Sequence, residues 1–254
     1  MKERTMAEMR PNRTKEKLAA GGVVTCLQGS PMPADMVDLV GPLGFDCVWF
    51  EAEHGDVDYG DIPNLSRACD LWGMTPLVRV NRIETGVIYR TLDLGAMGIV
   101  VPHVNTANEA REVVQAAKFH PLGHRGYFSS RQSFGVDGFV EKANDQSMVV
   151  IMLEDVVAVD NLDELLAVDE IDVFFVAPGD LGQSMGILDY HDARVQNLID
   201  ETLKRIVAAG KVAGGIGDTA RCKEFLDMGV QFLGVNWLPW LSTGANEFLT
   251  GVSQ

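Results

Sequence analysis

The sequence contains no run of roughly 20 apolar residues of the kind a membrane helix needs, and its opening, MKERTMAEMRPNRTK, lacks the apolar stretch of a secretory leader. A cytoplasmic protein is the expectation. Cysteine is scarce. Cys26, Cys47, Cys69 and Cys222 show no C-x-x-C pair or other zinc-like spacing, and three of them sit in apolar segments, which predicts reduced core thiols. Positive charge is also short, with 21 Lys and Arg against 36 Asp and Glu and a formal net charge of −15. Such a surface repels nucleic-acid phosphates and anionic membranes, so neither is an expected partner, and it favours cations. Nucleotide fingerprints are missing too. GGIGDT at Gly214–Thr219 lacks the G-x-G-x-x-G spacing, and there is no G-x-x-x-x-G-K-[ST].

What is present is a composition that supports one large core, since a lone α/β barrel runs to about 250 residues. Eight short apolar runs recur along the 254 residues: Val23–Leu27, Asp46–Phe50, Thr75–Val80, Gly98–Pro102, Met148–Leu153, Asp172–Ala177, Val212–Ile216 and Phe232–Asn236. Between them lie stretches with helical spacing: Ile62–Trp72, Val87–Leu94, Ala107–Phe119, Leu162–Val168, Val195–Ala209 and Thr219–Met228. Runs such as MVVIML and VFFVA are apolar at successive positions, as expected for parallel strands covered on both faces. The pattern predicts a single-domain (β/α)8 TIM barrel over residues 1–254. One connection, residues 120–147, is too long for a plain barrel loop, and Phe139–Ala143 within it has room for a short helix. The HRGY turn in the same stretch reads as a rim element.

In such barrels the chemistry sits at the C-terminal ends of the strands. Strand two runs into Glu51, Glu53 and His54, strand three carries Arg79, strand five ends in Glu154 and Asp155, and strand six ends in Pro178, Gly179 and Asp180. Arg79, embedded in the apolar PLVRVN, needs a partner. Either an internal salt bridge or a bound anion would serve, and a permanently charged guanidinium favours the anion. Glu154 and Asp180 end neighbouring strands. Two hard oxygen donors with open positions suit Mg2+ or Mn2+ better than zinc, the alternative being that Glu154 caps a helix and Asp180 a turn. His54 has the pKa for proton transfer near neutrality, and Asp93 is a candidate to orient its ring. His103, His120, His124 and His191 are given no role. No lysine falls at a strand end, Lys118 included, so a Schiff base is not expected and a metal must polarise the substrate.

The chain resembles the class II, metal-dependent HpcH/HpaI-type aldolases, relatives of the citrate lyase β subunit. The resemblance rests on Glu53–His54, PLVRV around Arg79, LDLGAMGIVVPHV at Leu92–Val104, EAREVVQAAKFHPLGHRG at Glu109–Gly126, the E-D pair after strand five, and APGDL at Ala177–Leu181. It implies that Glu154 and Asp180 hold a divalent metal (Mg2+ or Mn2+, with Co2+ a third choice) that chelates a pyruvate-like 2-oxo acid. It further implies that Arg79 stabilises the enolate oxygen, that backbone N–H groups near Gly179 receive the carboxylate, and that His54 moves protons. The expected reaction is cleavage or formation of a 4-hydroxy-2-oxo acid from a 2-oxo acid and an aldehyde. A homo-oligomer is implied as well, a hexamer or trimer of dimers, with residues 238–254 a helical tail exchanged between subunits.

The chain departs from the family pattern in three places. Glu51 stands where the family usually has Asp, Met152 where it usually has Gln, and NWLPW follows strand eight in place of small and acidic residues. Arg125 and Trp237 are the candidates for an acceptor pocket, with Trp240 beside them and simple packing as the alternative. Competing readings are the same enolate chemistry in a citrate-synthase-like enzyme, a decarboxylase or a CoA-thioester lyase, and a catalytically silent binding barrel.

Overall fold

In the computed structural model, which describes residues 7–253, eight parallel strands close in sequence order: β1 (Val24–Gln28), β2 (Cys47–Glu51), β3 (Thr75–Arg79), β4 (Gly98–Val101), β5 (Met148–Leu153), β6 (Val173–Val176), β7 (Ala213–Ile216) and β8 (Phe232–Asn236), the last pairing back onto β1. Residues 1–6 of the opening segment and Gln254 of the tail lie outside the described residues. The outer ring is built by α2 (Ala34–Val40), α3 (Ile62–Trp72), α4 (Thr85–Asp93), α5 (Ala107–Ala117), α7 (Val156–Asp160) with α8 (Leu162–Leu166), α10 (Ala193–Ala208) and α11 (Thr219–Asp227). Additional helices are α1 (Arg13–Ala19), α6 (Phe139–Gln146), α9 (Pro178–Ser184) and α12 (Leu238–Val252). All eight expected strands form, within two residues at every end. Phe139–Ala143 grows into α6, while α1, α2, α7 and α9 are additions to the sequence reading.

Local chemistry explains the helices. In α5 the positions Ala107, Ala110, Val113, Val114 and Ala117 are buried, the spacing of one helical face, and Thr106 with Glu109 closes a reciprocal capping box at its start. Helix α3 starts with proline in its first turn and stops at Gly73, whose φ of +68° only glycine adopts without strain. Alternate strand residues face the lumen. There Trp49 packs on Phe175 at 5.0 Å and Phe175 on Phe232 at 6.0 Å, beside Gly214, where a Cβ would come within 2.8 Å of Phe175. The lumen is therefore a packed core and not a channel, each buried aromatic contributing about 1.5–3 kcal/mol of transfer free energy.

One end of this barrel is sealed. Asn12, fully buried before α1, donates to the carbonyls of Met97 and Gln146 at 2.9 Å, and Thr14 donates to Asp46; all three acceptors precede strands. The long connection returns over the same end. Lys118, also fully buried, donates to the carbonyls of Asn144 and Ser147 at 2.8 Å, so the stretch holding the HRGY turn belongs to this sealed end, away from the catalytic rim. No described helix is long and apolar enough to cross a membrane. Helix α12 buries none of its residues and leaves Leu238, Trp240, Leu241, Phe248 and Leu249 exposed.

Candidate active site

At the open end, β2 and β3 bring their last residues into register, Glu51 opposite Arg79. The guanidinium forks onto one oxygen of Glu51, with Nε and Nη2 each 2.7 Å from Oε2, and its Nη1 lies 3.0 Å from Glu53 Oε2. The other Glu51 oxygen accepts the backbone N–H groups of Glu53 and His54 at 2.9 and 3.1 Å. That pair of bonds fixes the turn after β2 and carries His54 to the mouth. The internal salt bridge weighed for Arg79 is thus present, and it orients the arginine as much as it neutralises it. Its Nη1 edge also lies 3.9 Å from Met152 Sδ. A thioether is a weak acceptor, so this edge, aimed at β5, keeps donor capacity for another oxygen.

Glu154 follows β5 and is fully buried. Its Oε1 accepts the backbone N–H of His103 at 2.8 Å, while Oε2 has no hydrogen-bond partner. Burial pushes this carboxyl up to about 7, with the negative charge of Asp180 adding to the shift and His103 and Arg79 opposing it. A buried carboxylate oxygen without a donor calls for a cation or a proton. Asp180, half-buried as the third residue of α9, lies near enough for its charge to act on Glu154. Among the described residues no three His, Cys, Asp or Glu side chains converge on one point, so a cation held here would have these two carboxylates as its protein donors, with its other positions open to water and substrate. This donor set fits a hard divalent ion. Gly179, exposed beside Asp180, has open space where a side chain would stand.

His54 stands at the rim with a side chain 70% exposed, and the group facing its ring is Glu53, at 3.8 Å. Burial raises the pKa of Glu53, although the charges of Arg79 and His54 pull it back. The expected orienting residue, Asp93, lies elsewhere. It ends α4, and a crossover helix runs antiparallel to the strands, so its carboxylate is at the sealed end, 2.6 Å from Arg125 Nη2. Arg125 lies over the Phe119 ring at 4.6 Å and is buried there. Within one chain, therefore, neither Asp93 nor Arg125 reaches the mouth. Trp237 is also taken up by packing. Its indole is wedged beneath Gly29, where a Cβ would fall 2.4 Å from Nε1, in the outer cluster with Leu27 and Val48. Trp240, with Tyr190 and Phe225, lines open space instead, at a cavity of about 900 Å³ beside the ends of β6, β7 and β8.

The sequence reading passed over His103. It follows β4, its ring Nδ1 lies 3.0 Å from Asp155, and Asn105 donates to the same Asp155 oxygen. Although partial burial opposes it, the hydrogen bond that Asp155 accepts from the ring and the charges of Glu154, Asp155 and Glu53 raise its pKa. The available signal was positional, because PHVN follows β4 at the same barrel end as Glu51, Arg79 and Glu154.

Comparison with known proteins places the fold and the sequence in one family. The sequence pattern of the HpcH/HpaI aldolase/citrate lyase family matches residues 30–236. The 2-keto-3-deoxy-L-rhamnonate aldolase of Klebsiella pneumoniae is 33% identical over 232 residues, 88% of this chain and 86% of that protein. The crystal structure of an HpcH/HpaI aldolase from Desulfitobacterium hafniense superposes with a TM-score of 0.88 at 26% identity, covering 94% of this chain and 96% of that one. The citrate synthase SbnG superposes with a TM-score of 0.83 at 25% identity, covering 94% and 98%. The chain belongs to the HpcH/HpaI aldolase/citrate lyase family, the metal-dependent aldolases that its motifs resemble.

Proposed function

We propose that the chain cleaves and forms 4-hydroxy-2-oxo acids, with pyruvate or a close analogue as the 2-oxo acid product and an aldehyde as the other. The observation that carries this reading is the buried Glu154 oxygen without a partner, within the electrostatic reach of Asp180 and Arg79. The 2-keto-3-deoxy skeleton named for the relatives is of this substrate class.

Glu154 and Asp180 would hold the divalent ion, with Mg2+, Mn2+ and Co2+ the candidates. When bound, the ion withdraws electron density from the 2-oxo group and lowers the cost of the developing enolate. The remaining work falls to the chain. In cleavage, His54 takes the proton from the C4 hydroxyl, directly or through water, and the C3–C4 bond breaks to release the aldehyde. The electron pair moves onto the 2-oxo oxygen, where the free edge of Arg79 stabilises the negative charge. The proton taken by His54, or one from the water it works through, is then delivered to C3 and completes pyruvate. Backbone N–H groups at Gly179 and Asp180 are suited to the substrate carboxylate. Glu51 and Glu53 keep the arginine aimed and leave its Nη1 edge toward β5.

The same reading includes a homo-oligomer, hexamer or trimer of dimers, in which α12 is exchanged, supported by its unburied apolar residues. A cytoplasmic setting is supported by four unpaired thiols. The test is pyruvate release from a 4-hydroxy-2-oxo acid: activity is expected to vanish with EDTA and return with Mg2+, Mn2+ or Co2+, and chelator-resistant turnover contradicts the proposal.

A further inference from the structure

We infer that His103 is a positioning residue for the cation site, its left-handed backbone aiming its N–H at one oxygen of Glu154 so that the other oxygen stays free for the ion. The inference rests on the assignment of Glu154 to a metal made above.

The backbone supplies the first observation. His103 has a φ of +51°, and among the described residues the only other non-glycine with positive φ is Glu170. A side chain bearing a Cβ is disfavoured in that conformation, so the surroundings must hold it there. They do. The ring Nδ1 lies 3.0 Å from Asp155 Oδ2, Asn105 Nδ2 donates to the same oxygen at 3.0 Å, and the Asn105 carbonyl is fixed by Asn161 Nδ2 at 2.9 Å.

The second observation concerns Asp155. It occupies the N-cap of α7, where an aspartate ordinarily accepts a backbone N–H of the first turn, yet it makes no such bond. Its carboxylate is committed to His103 and Asn105 instead, while Ser184 of α9 accepts the Val156 N–H at 2.9 Å. A helix cap has thus been redirected to hold an imidazole.

The consequence falls on Glu154. The terminal torsion of a glutamate is broad, so an untethered carboxylate must be ordered when it binds a cation. The N–H of His103 fixes Oε1 at 2.8 Å beforehand and leaves Oε2 without a partner. Such supporting contacts set metal affinity by about 10- to 100-fold. The backbone N–H does this work, and the ring keeps the backbone in place.

The test is calorimetric titration of Mn2+ into chelator-treated full-length protein, with each variant's fold checked by circular dichroism. His103→Val, a β-branched residue at a left-handed position, is expected to bind about 10- to 100-fold more weakly. His103→Gly adopts that φ freely and keeps the N–H, so it is expected to stay within about threefold of the parent on the same basis. His103→Ala should fall between them, and the Ala and Gly pair decides the matter if the valine variant does not fold. Affinity in His103→Gly as weak as in the valine or alanine variant would overturn the inference by placing the effect in the ring; unchanged affinity in all three overturns it as well. If the parent binds no Mn2+, or Glu154→Gln binds as the parent does, the metal assignment fails and this inference falls with it.

Discussion

Replacing Arg79 with Gln separates two duties that the structure gives one side chain. The guanidinium is forked on Glu51 at 2.7 Å and faces Glu53 at 3.0 Å, with side chains 14%, 15% and 9% exposed respectively. Removing the cation leaves two carboxylates in poor solvent contact. Breaking a buried pair in this way costs about 3–5 kcal/mol, and the residual exposure places the expected loss at the lower end, about 3 kcal/mol. For a chain of this length that is a fall in Tm of roughly 6–12 °C. Turnover should fall about 100-fold or more, since the group facing the enolate is lost. The double change Arg79→Gln with Glu51→Gln removes one stranded charge and should recover a good part of the Tm, yet none of the turnover. Scanning calorimetry and a pyruvate-release assay on the parent and the two variants measure both. A single variant within 2 °C and fivefold of the parent, or a double variant that regains turnover, would refute the reasoning.

Lys118 offers a pH test at the sealed end. Burial lowers its pKa from 10.5 to about 8, so between those pH values the unfolded chain holds a proton that the folded chain has lost. Stability therefore rises with pH across that window, by about 3 kcal/mol at most. Urea melts at pH 7.5 and 10 should show this rise in the parent and its absence in Lys118→Met; equal pH dependence in both contradicts it. For α12, charging the exposed face with Leu241→Asp and Phe248→Asp should convert an oligomer into a smaller species with its barrel intact. Light scattering after gel filtration reads the mass, and a parent that is already monomeric rules out the exchange.

The barrel was legible in the sequence because its strands are short, apolar on both faces and regularly spaced. MVVIML fits β5 residue for residue, and APGDL places Asp180 at the rim without further information. Helix α1 was not legible, since its seven residues are held by long-range bonds from Asn12 and Thr14 that no local pattern encodes. Asp93 misled for a related reason: its residue type suited a histidine partner, but the direction of α4 carries it to the opposite end. His103 escaped because its contact with Glu154 is made by a backbone N–H in a left-handed conformation, whereas reading residues for chemistry weighs side chains. Arg79 could be read both ways, and the structure shows the salt bridge, pairing it with two glutamates while Nη1 also turns toward the weak acceptor Met152.

The shared cation is tested most directly by anomalous diffraction from crystals soaked with Mn2+ and pyruvate. The account requires a single strong peak within bonding distance of Glu154 Oε2 and an Asp180 carboxylate oxygen, with the Arg79 Nη1 edge turned toward the keto oxygen. A peak at other residues, or Glu154 and Asp180 turned away from each other with pyruvate bound elsewhere, would contradict it.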